Sequence, residues 1–313
     1  MKRVKIFIIT YVFCIATINL KAQYDAMFTQ YMFNEMFVNP AYAGSKEALA
    51  ATALHRQQWV NFAGRPVTTT FTLHGPMYNN KMGIGLSVLN EKIGVLSRNL
   101  VYLNYAYRIK AGKKGHLSLG LMAGIHSQTN KFTELQTTEA NDSQFTVNTK
   151  NVMTTNFGSG IYYYTPKFYV GLSIPRMIDD NTSVTSTGSL NTQAKIHANK
   201  FHYYFTIGSI YTLNESLKLK PQLMIKAVSN APVEMDINVN ALIKEKIWLG
   251  VSYRSKSDAS VIFGIQVNPQ FIVSYAYDYS LTTIQKFSAG SHEIALGYLF
   301  GFKGKKILSN RYF

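Results

Sequence analysis

Leu117-Ser118-Leu119-Gly120-Leu121-Met122-Ala123-Gly124-Ile125-His126 alternates without a break. Leu117, Leu119, Leu121, Ala123 and Ile125 fall on one side, and Ser118, Gly120, Met122, Gly124 and His126 on the other. Successive side chains of an extended chain point to opposite faces, so this period marks a β-strand between two different environments. The rhythm recurs from about residue 48 to residue 300. Met82-Gly83-Ile84-Gly85-Leu86-Ser87-Val88 sets apolar side chains against Gly, Gly and Ser. Val233, Met235, Ile237, Val239 and Ala241 interleave with Glu234, Asp236, Asn238 and Asn240, and Phe271, Val273, Tyr275, Tyr277 and Tyr279 with Ile272, Ser274, Ala276 and Asp278.

A soluble sandwich alternates too, with one face in the core and one in water. Two features point instead to a closed barrel in a membrane. The second face is often Gly, Ser or Ala rather than Lys and Glu, as crowding inside a barrel favours. Aromatics gather near strand ends, in Tyr162-Tyr163-Tyr164, Tyr203-Tyr204-Phe205 and Tyr298-Leu299-Phe300, in the manner of girdles at the two bilayer interfaces. Strands are predicted at roughly 48–58, 67–76, 81–91, 97–109, 115–127, 152–164, 166–174, 200–212, 216–228, 232–242, 246–255, 260–267, 270–279 and 291–300. The even-numbered connections are short, whereas the odd-numbered ones include the long 59–66, 128–151, 175–199 and 280–290. Short periplasmic turns alternating with longer outer loops are the pattern of an outer-membrane barrel. The fold class expected is therefore all-β: a closed, up-and-down transmembrane outer-membrane β-barrel of about 14 antiparallel strands.

Composition agrees. Tyr (21), Phe (19) and Gly (21) are abundant and charged residues make up only 15%, with apolar residues spread over many short segments. Lys2, Arg3 and Lys5 precede the apolar Ile6–Ile18, and Leu20-Lys21-Ala22 precedes Gln23. This reads as a signal peptide cleaved after Ala22, since the apolar run is shorter than the roughly 20 residues of a spanning helix. The single cysteine, Cys14, lies in that segment, which leaves the mature chain without a disulfide or thiolate site. Removing 1–22 leaves 28 basic against 16 acidic residues. The basic residues are scattered singly, which argues against nucleic acid and for a solvated rim or an acidic partner. Many fall on the predicted periplasmic side, among them Lys110, Lys113, Lys114, Lys167, Lys244 and Lys246. The expected organisation is a signal at 1–22, a periplasmic or plug segment at 23–47, a barrel at 48–300 and a short basic periplasmic tail at 301–313.

Between signal and first strand stand Asp25-Ala26-Met27-Phe28-Thr29-Gln30-Tyr31-Met32-Phe33-Asn34 and Asn39-Pro40-Ala41-Tyr42-Ala43-Gly44. Arg56-Gln57-Gln58-Trp59, Arg65-Pro66-Val67-Thr68 and His74 follow, and Tyr275-Ala276-Tyr277-Asp278-Tyr279 and Gly290-Ser291-His292-Glu293-Ile294 stand near the C-terminus. These segments, in this order, resemble the PorP/SprF family of type IX secretion system membrane proteins of Bacteroidetes. The resemblance covers nearly the whole mature chain; Arg65 stands where the family commonly has a small residue. It implies a barrel that serves export or surface attachment of proteins with a C-terminal sorting domain, including adhesins used in gliding. The implied partners are outer-membrane lipid, those secreted proteins and the periplasmic type IX machinery.

The residues themselves give narrower readings. Asn39, Pro40, Tyr42 and Gly44 form a turn, since Pro restricts φ and Gly permits positive φ. That turn is a corner into strand one, or part of a plug or docking segment. A similar Asn-Pro-Ala turn occurs in FadL-type channels, which keeps open an alternative: a channel for small hydrophobic or polar solutes. Arg56 and Gln58 could face the lumen, and Trp59 suits the interface belt. Glu234 and Asp236 share a face, without a third group to make a catalytic set. His292 and Glu293 are adjacent in a strand and so face oppositely, and Asp278 shares a predicted inner face with Ala276. The histidines form no metal motif, and no G-x-S-x-G elbow is present. Neither cofactor nor enzymatic chemistry is expected, and both termini are expected on the periplasmic side.

Overall fold

The computed structural model describes residues 26–135, 148–184, 190–196, 201–229 and 231–301. The segment expected to be a signal peptide, nearly all of the expected basic tail, and parts of the 128–151 and 175–199 loops lie outside these residues.

Fourteen antiparallel strands form the wall: β1 (Leu49–Gln57), β2 (Val67–Met77), β3 (Met82–Ile93), β4 (Leu96–Ala111), β5 (Gly115–Asn130), β6 (Thr149–Tyr164) and β7 (Phe168–Ile174). β8 (Tyr203–Ser209) continues past Ile210 as Tyr211–Asn214; then come β9 (Leu217–Ala227), β10 (Glu234–Ile243), β11 (Ile247–Arg254), β12 (Asp258–Asn268), β13 (Phe271–Ser280) and β14 (Ser291–Phe300). Each strand pairs with its chain neighbours. β14 returns to β1 in a register running from Leu49 opposite Phe300 to Gln57 opposite His292, which closes the barrel. Full closure removes the exposed edges that an open sheet of this size would present. Every predicted strand exists. Alternation located them well because wall residues meet two contrasting media and a one-residue slip would exchange the faces.

Side chains sort as the alternation requires. On β5, Leu119, Leu121 and Ile125 are exposed on the outside, while Ser118, Met122 and His126 are buried within. Val101, Leu103, Leu172, Val251 and Phe263 extend the outer apolar surface around the wall. A continuous apolar belt of this kind is untenable in water and suits the bilayer interior. No described helix is long and apolar enough to cross a membrane; the chain crosses with strands.

The aromatic runs meet the girdle expectation only in part, with Tyr203, Tyr298 and Phe300 exposed on the outside. Tyr162, Tyr164, Tyr169 and Tyr204 face inward and are buried. Neighbouring residues of a strand point oppositely, so a run of three tyrosines cannot all meet lipid.

At one end of the barrel the connections are brief. Residues 78–80 turn with positive φ at Tyr78, Asn79 and Asn80, and Lys244 and Glu245 do the same between β10 and β11. The other end carries the longer loops. One of these contains an additional hairpin, Ile178–Val184 paired with Leu190–Ile196, that alternation did not reveal.

Candidate functional site

The inner face of this wall is polar for a membrane protein: Thr52, Arg56, Thr70, His74, Asn104, Arg108, Asn156, Asn238, Asp278 and Glu293 are all buried there. Buried polar groups need partners. Here most of them find partners in residues 26–48, which run down the lumen as short helical turns (Tyr31–Phe33, Glu35–Val38 and Pro40–Tyr42). Ala26 lies in the long-loop half, beside Leu89, Arg98 and Glu234, and Leu49 starts β1 at the short-turn end. The segment therefore traverses the barrel before the first strand begins.

The upper attachment, in the long-loop half, joins residues from opposite ends of the sequence. Arg56 Nη1 lies 2.6 Å from Asp278 Oδ2 and 3.0 Å from Glu293 Oε2, with all three side chains almost wholly buried. Glu293 also accepts the backbone N–H groups of Thr29 (3.0 Å) and Gln30 (2.7 Å). The Thr29 hydroxyl donates to Asp278 (2.8 Å) and accepts from Arg56 (3.0 Å). Beside it, Arg254 grips Asp236 through two parallel hydrogen bonds of 2.9 and 3.0 Å and donates to the Phe28 carbonyl at 3.1 Å. Fork-to-fork arginine–carboxylate pairing adds geometric definition as well as energy. Charges out of water need partners of this kind, because desolvation otherwise exceeds the Coulombic gain; Arg56 meets both carboxylates through Nη1, while its buried Nε and Nη2 have no hydrogen-bond partner among the described residues.

The lower attachment is the Asn39–Gly44 turn. The Asn39 side chain accepts from the Ala41 N–H at 3.0 Å, capping the Pro40–Tyr42 helical turn, and donates to the Ile161 carbonyl at 3.0 Å. Ser118 donates to the Ala41 carbonyl at 2.6 Å, and Ser173 to the Val38 carbonyl at 2.8 Å. Tyr42 packs edge-on against His74 and Tyr162. Gly44 adopts φ +73°, where a side chain would be strained; its N–H donates to His74 Nδ1 at 2.9 Å and its carbonyl accepts from Arg108. Between the attachments, Asn34 donates to Thr70 and Tyr162 donates to Glu35, at 3.1 and 3.0 Å.

Asn39→Ala removes the cap and the bond to the wall together. We expect a local loss of about 2 kcal/mol, seen as roughly thirtyfold faster amide exchange at Ala41 with the melting of the wall unchanged. Unaltered exchange there would show that Asn39 does not hold the turn.

The structure thus brings Arg56, Asp278 and Glu293 together, and separately assembles Asn39, Pro40, Tyr42 and Gly44. His292 faces outward, opposite to Glu293, where its Nδ1 lies 2.6 Å from the Tyr275 hydroxyl. Gln58 and Trp59 lie beyond β1. The Gln58 N–H donates to the Pro66 carbonyl; Trp59, at φ +50°, stacks edge-on with Phe62 and is tied through its N–H to Ser291. Sequence reasoning did not single out Thr29, Gln30 or Arg254. The inward orientation of Arg254 was readable from the alternation of β11, but its partner was not.

A model of the type IX secretion system membrane protein PorP/SprF family matches residues 20–298, nearly the whole chain. The chain belongs to the PorP/SprF family. Several of the motifs that carried the resemblance contribute, in this PorP/SprF protein, the residues that meet in the lumen: Thr29, Gln30, the Asn39–Gly44 turn, Arg56, His74, Asp278 and Glu293. No curated protein matches the chain in sequence. Similar solved structures include the TodX monoaromatic hydrocarbon channel deltaS2 mutant, at 10% identity and TM-score 0.49 over 86% of this chain and 94% of that one. The CymD monoaromatic hydrocarbon channel is similar at 12% and 0.47, over 88% and 94%. The translocator domain of the autotransporter NalP from Neisseria meningitidis is similar at 14% and 0.45, over 81% and 88%. At these identities the likeness is one of barrel architecture alone.

Proposed function

We propose that this PorP/SprF barrel supports the export or surface anchoring of sorting-domain proteins by protein–protein contact, with its lumen held closed by residues 26–48. The observation that carries this reading is the double attachment of that segment. A strand wall whose inner polar groups are largely satisfied by its own N-terminal residues is built to present surfaces rather than to pass solutes. In this reading the short turns and basic tail face the periplasmic machinery, and the long loops, including the 178–196 hairpin, face outward toward secreted substrate.

Deletion of the gene, followed by comparison of surface and medium proteins with the parent strain, tests it. Loss of one or a few sorting-domain proteins is the expected result and would mark a dedicated export or anchoring barrel. Loss of all of them would assign it to the core machinery. An unchanged profile would overturn the secretion role and leave the solute-channel alternative, for which the lumen segment would have to move.

A further inference from the structure

Beneath the N-terminal segment, at the short-turn end, the lumen opens into a cavity of about 450 Å³. That is within the range of roughly 300–1,000 Å³ occupied by ligand sites. Met32 and Phe33 form its roof, and Leu242, Trp248, Ile272 and Leu299 of β10, β11, β13 and β14 contribute to its wall. Two independent features set the chemistry of an occupant. The Trp248 indole is 7% exposed, with Phe33 set edge-on to it at 6.3 Å, and its Nε1–H has no acceptor. A buried donor left unpaired costs about 1–3 kcal/mol, so an acceptor arriving there is favoured. The rim is also cationic. Lys46 lines it from the segment, and Lys244 and Lys246 from the β10–β11 turn. Its one lining acid, Glu245, is engaged by Lys218 of the neighbouring strand.

Apolar walls, a single unpaired donor and a positive rim match a carboxylate adjoining a large apolar side chain. The side chains of the chain's own residues 302–313 include Lys303, Lys305, Lys306 and Arg311 and no carboxylate, so their charge has the same sign as the rim. We propose that this vestibule is a docking site for an acidic, aromatic-bearing peptide segment of a partner that approaches the short-turn end. The proposal rests on the contact-based function above and adds where, and to what chemistry, the contact is made.

The test uses the full mature chain in nanodiscs and a labelled, acetylated hexapeptide of alternating glutamate and phenylalanine, with its glutamine analogue as comparison. Anisotropy reads affinity, and tryptophan emission reads location, because the chain has only two tryptophans. The acidic peptide is expected to bind and alter the emission, and the glutamine analogue to bind at least about tenfold more weakly. Joint K46Q, K244Q and K246Q substitution should weaken the acidic peptide to a similar degree. Trp248→Phe, which keeps an aromatic ring and removes the donor, should weaken it several-fold and abolish most of the emission change. Equal binding of the two peptides, undiminished affinity after lysine neutralisation, or an emission change that survives Trp248→Phe would overturn the site. If the peptide binds as expected but gene deletion leaves secretion unchanged, the vestibule stands and the type IX role falls.

Discussion

Arg56→Met is expected to release the upper end of the N-terminal segment while leaving the strand wall folded. The Arg56 guanidinium is the cation in contact with both Asp278 and Glu293, and each of those side chains is no more than 1% exposed. Removing one member of such a buried set leaves uncompensated charge and costs about 3–5 kcal/mol. The wall strands are held by continuous ladders, whereas among the described residues Thr29 and Gln30 are attached to the wall through this cluster and the adjoining Asn238. The cheapest relaxation is therefore for the segment to withdraw and admit water to the carboxylates. Since the sole cysteine is Cys14, a chain carrying Cys14→Ser and Met27→Cys has one thiol, at the attachment. Maleimide should label it at least tenfold faster when Arg56→Met is added, with little change in the heat-induced gel shift of the barrel. Arg56→Lys should fall between, because a lysine cannot reproduce the directed guanidinium bonds. Adding Asp278→Asn and Glu293→Gln to Arg56→Met should restore much of the protection, because replacing a whole buried ionic set with neutral groups is far less costly than breaking it. Identical labelling in all four proteins would mean the cluster does not hold the segment.

Gly120→Val should have the largest effect on the lower end. A Cβ at Gly120 would stand 2.1 Å from the Ala41 nitrogen and 2.4 Å from its Cα. Both atoms are backbone, and Pro40 stiffens the chain beside them, so no side chain can swing aside. Overpacking ordinarily costs about 1–3 kcal/mol, and a clash with immobile backbone lies at or beyond the top of that range. The turn must leave the wall, and with it go the bonds of Ser118, Asn39 and His74 described above. In planar bilayers the parent chain should give no sustained conductance and Gly120→Val should give discrete openings. Ala123→Val, on the outer face of the same strand, should behave like the parent. A closed Gly120→Val barrel with unchanged amide exchange at residues 39–44 would show that the turn does not rest on β5.

The wall was legible in the sequence and its contents were not. Leu119 and Leu121 against Ser118 and Gly120 disclose two faces, and fourteen such records suffice for a barrel. They say nothing of what fills the space between inner faces. Residues 26–48 mix Phe28, Met32 and Met36 with Thr29, Gln30 and Asn34 in turns too short to show a period. Their neighbours are decided by closure of the barrel, not by adjacency in the chain. The inner glycines invited an explanation from general crowding, and Gly120 has a more specific one: the backbone of Ala41 lies against it. Arg56, Asp278 and Glu293 were identifiable as residues of interest through family resemblance, but their union depends on a register across the β1–β14 junction that no local pattern records.

That junction has a consequence for how the molecule is made. Arg56 stands on the first strand, while Asp278 and Glu293 stand on the last two, so the upper cluster cannot exist until the final hairpin arrives. A truncated chain would lack the wall there and both anionic partners of Thr29 and Gln30. Nor could residues 26–48 enter a finished cylinder except by being threaded through it. Sealing of the cylinder and capture of its contents thus become one late, cooperative event, which couples completeness of the polypeptide to its final state in the membrane.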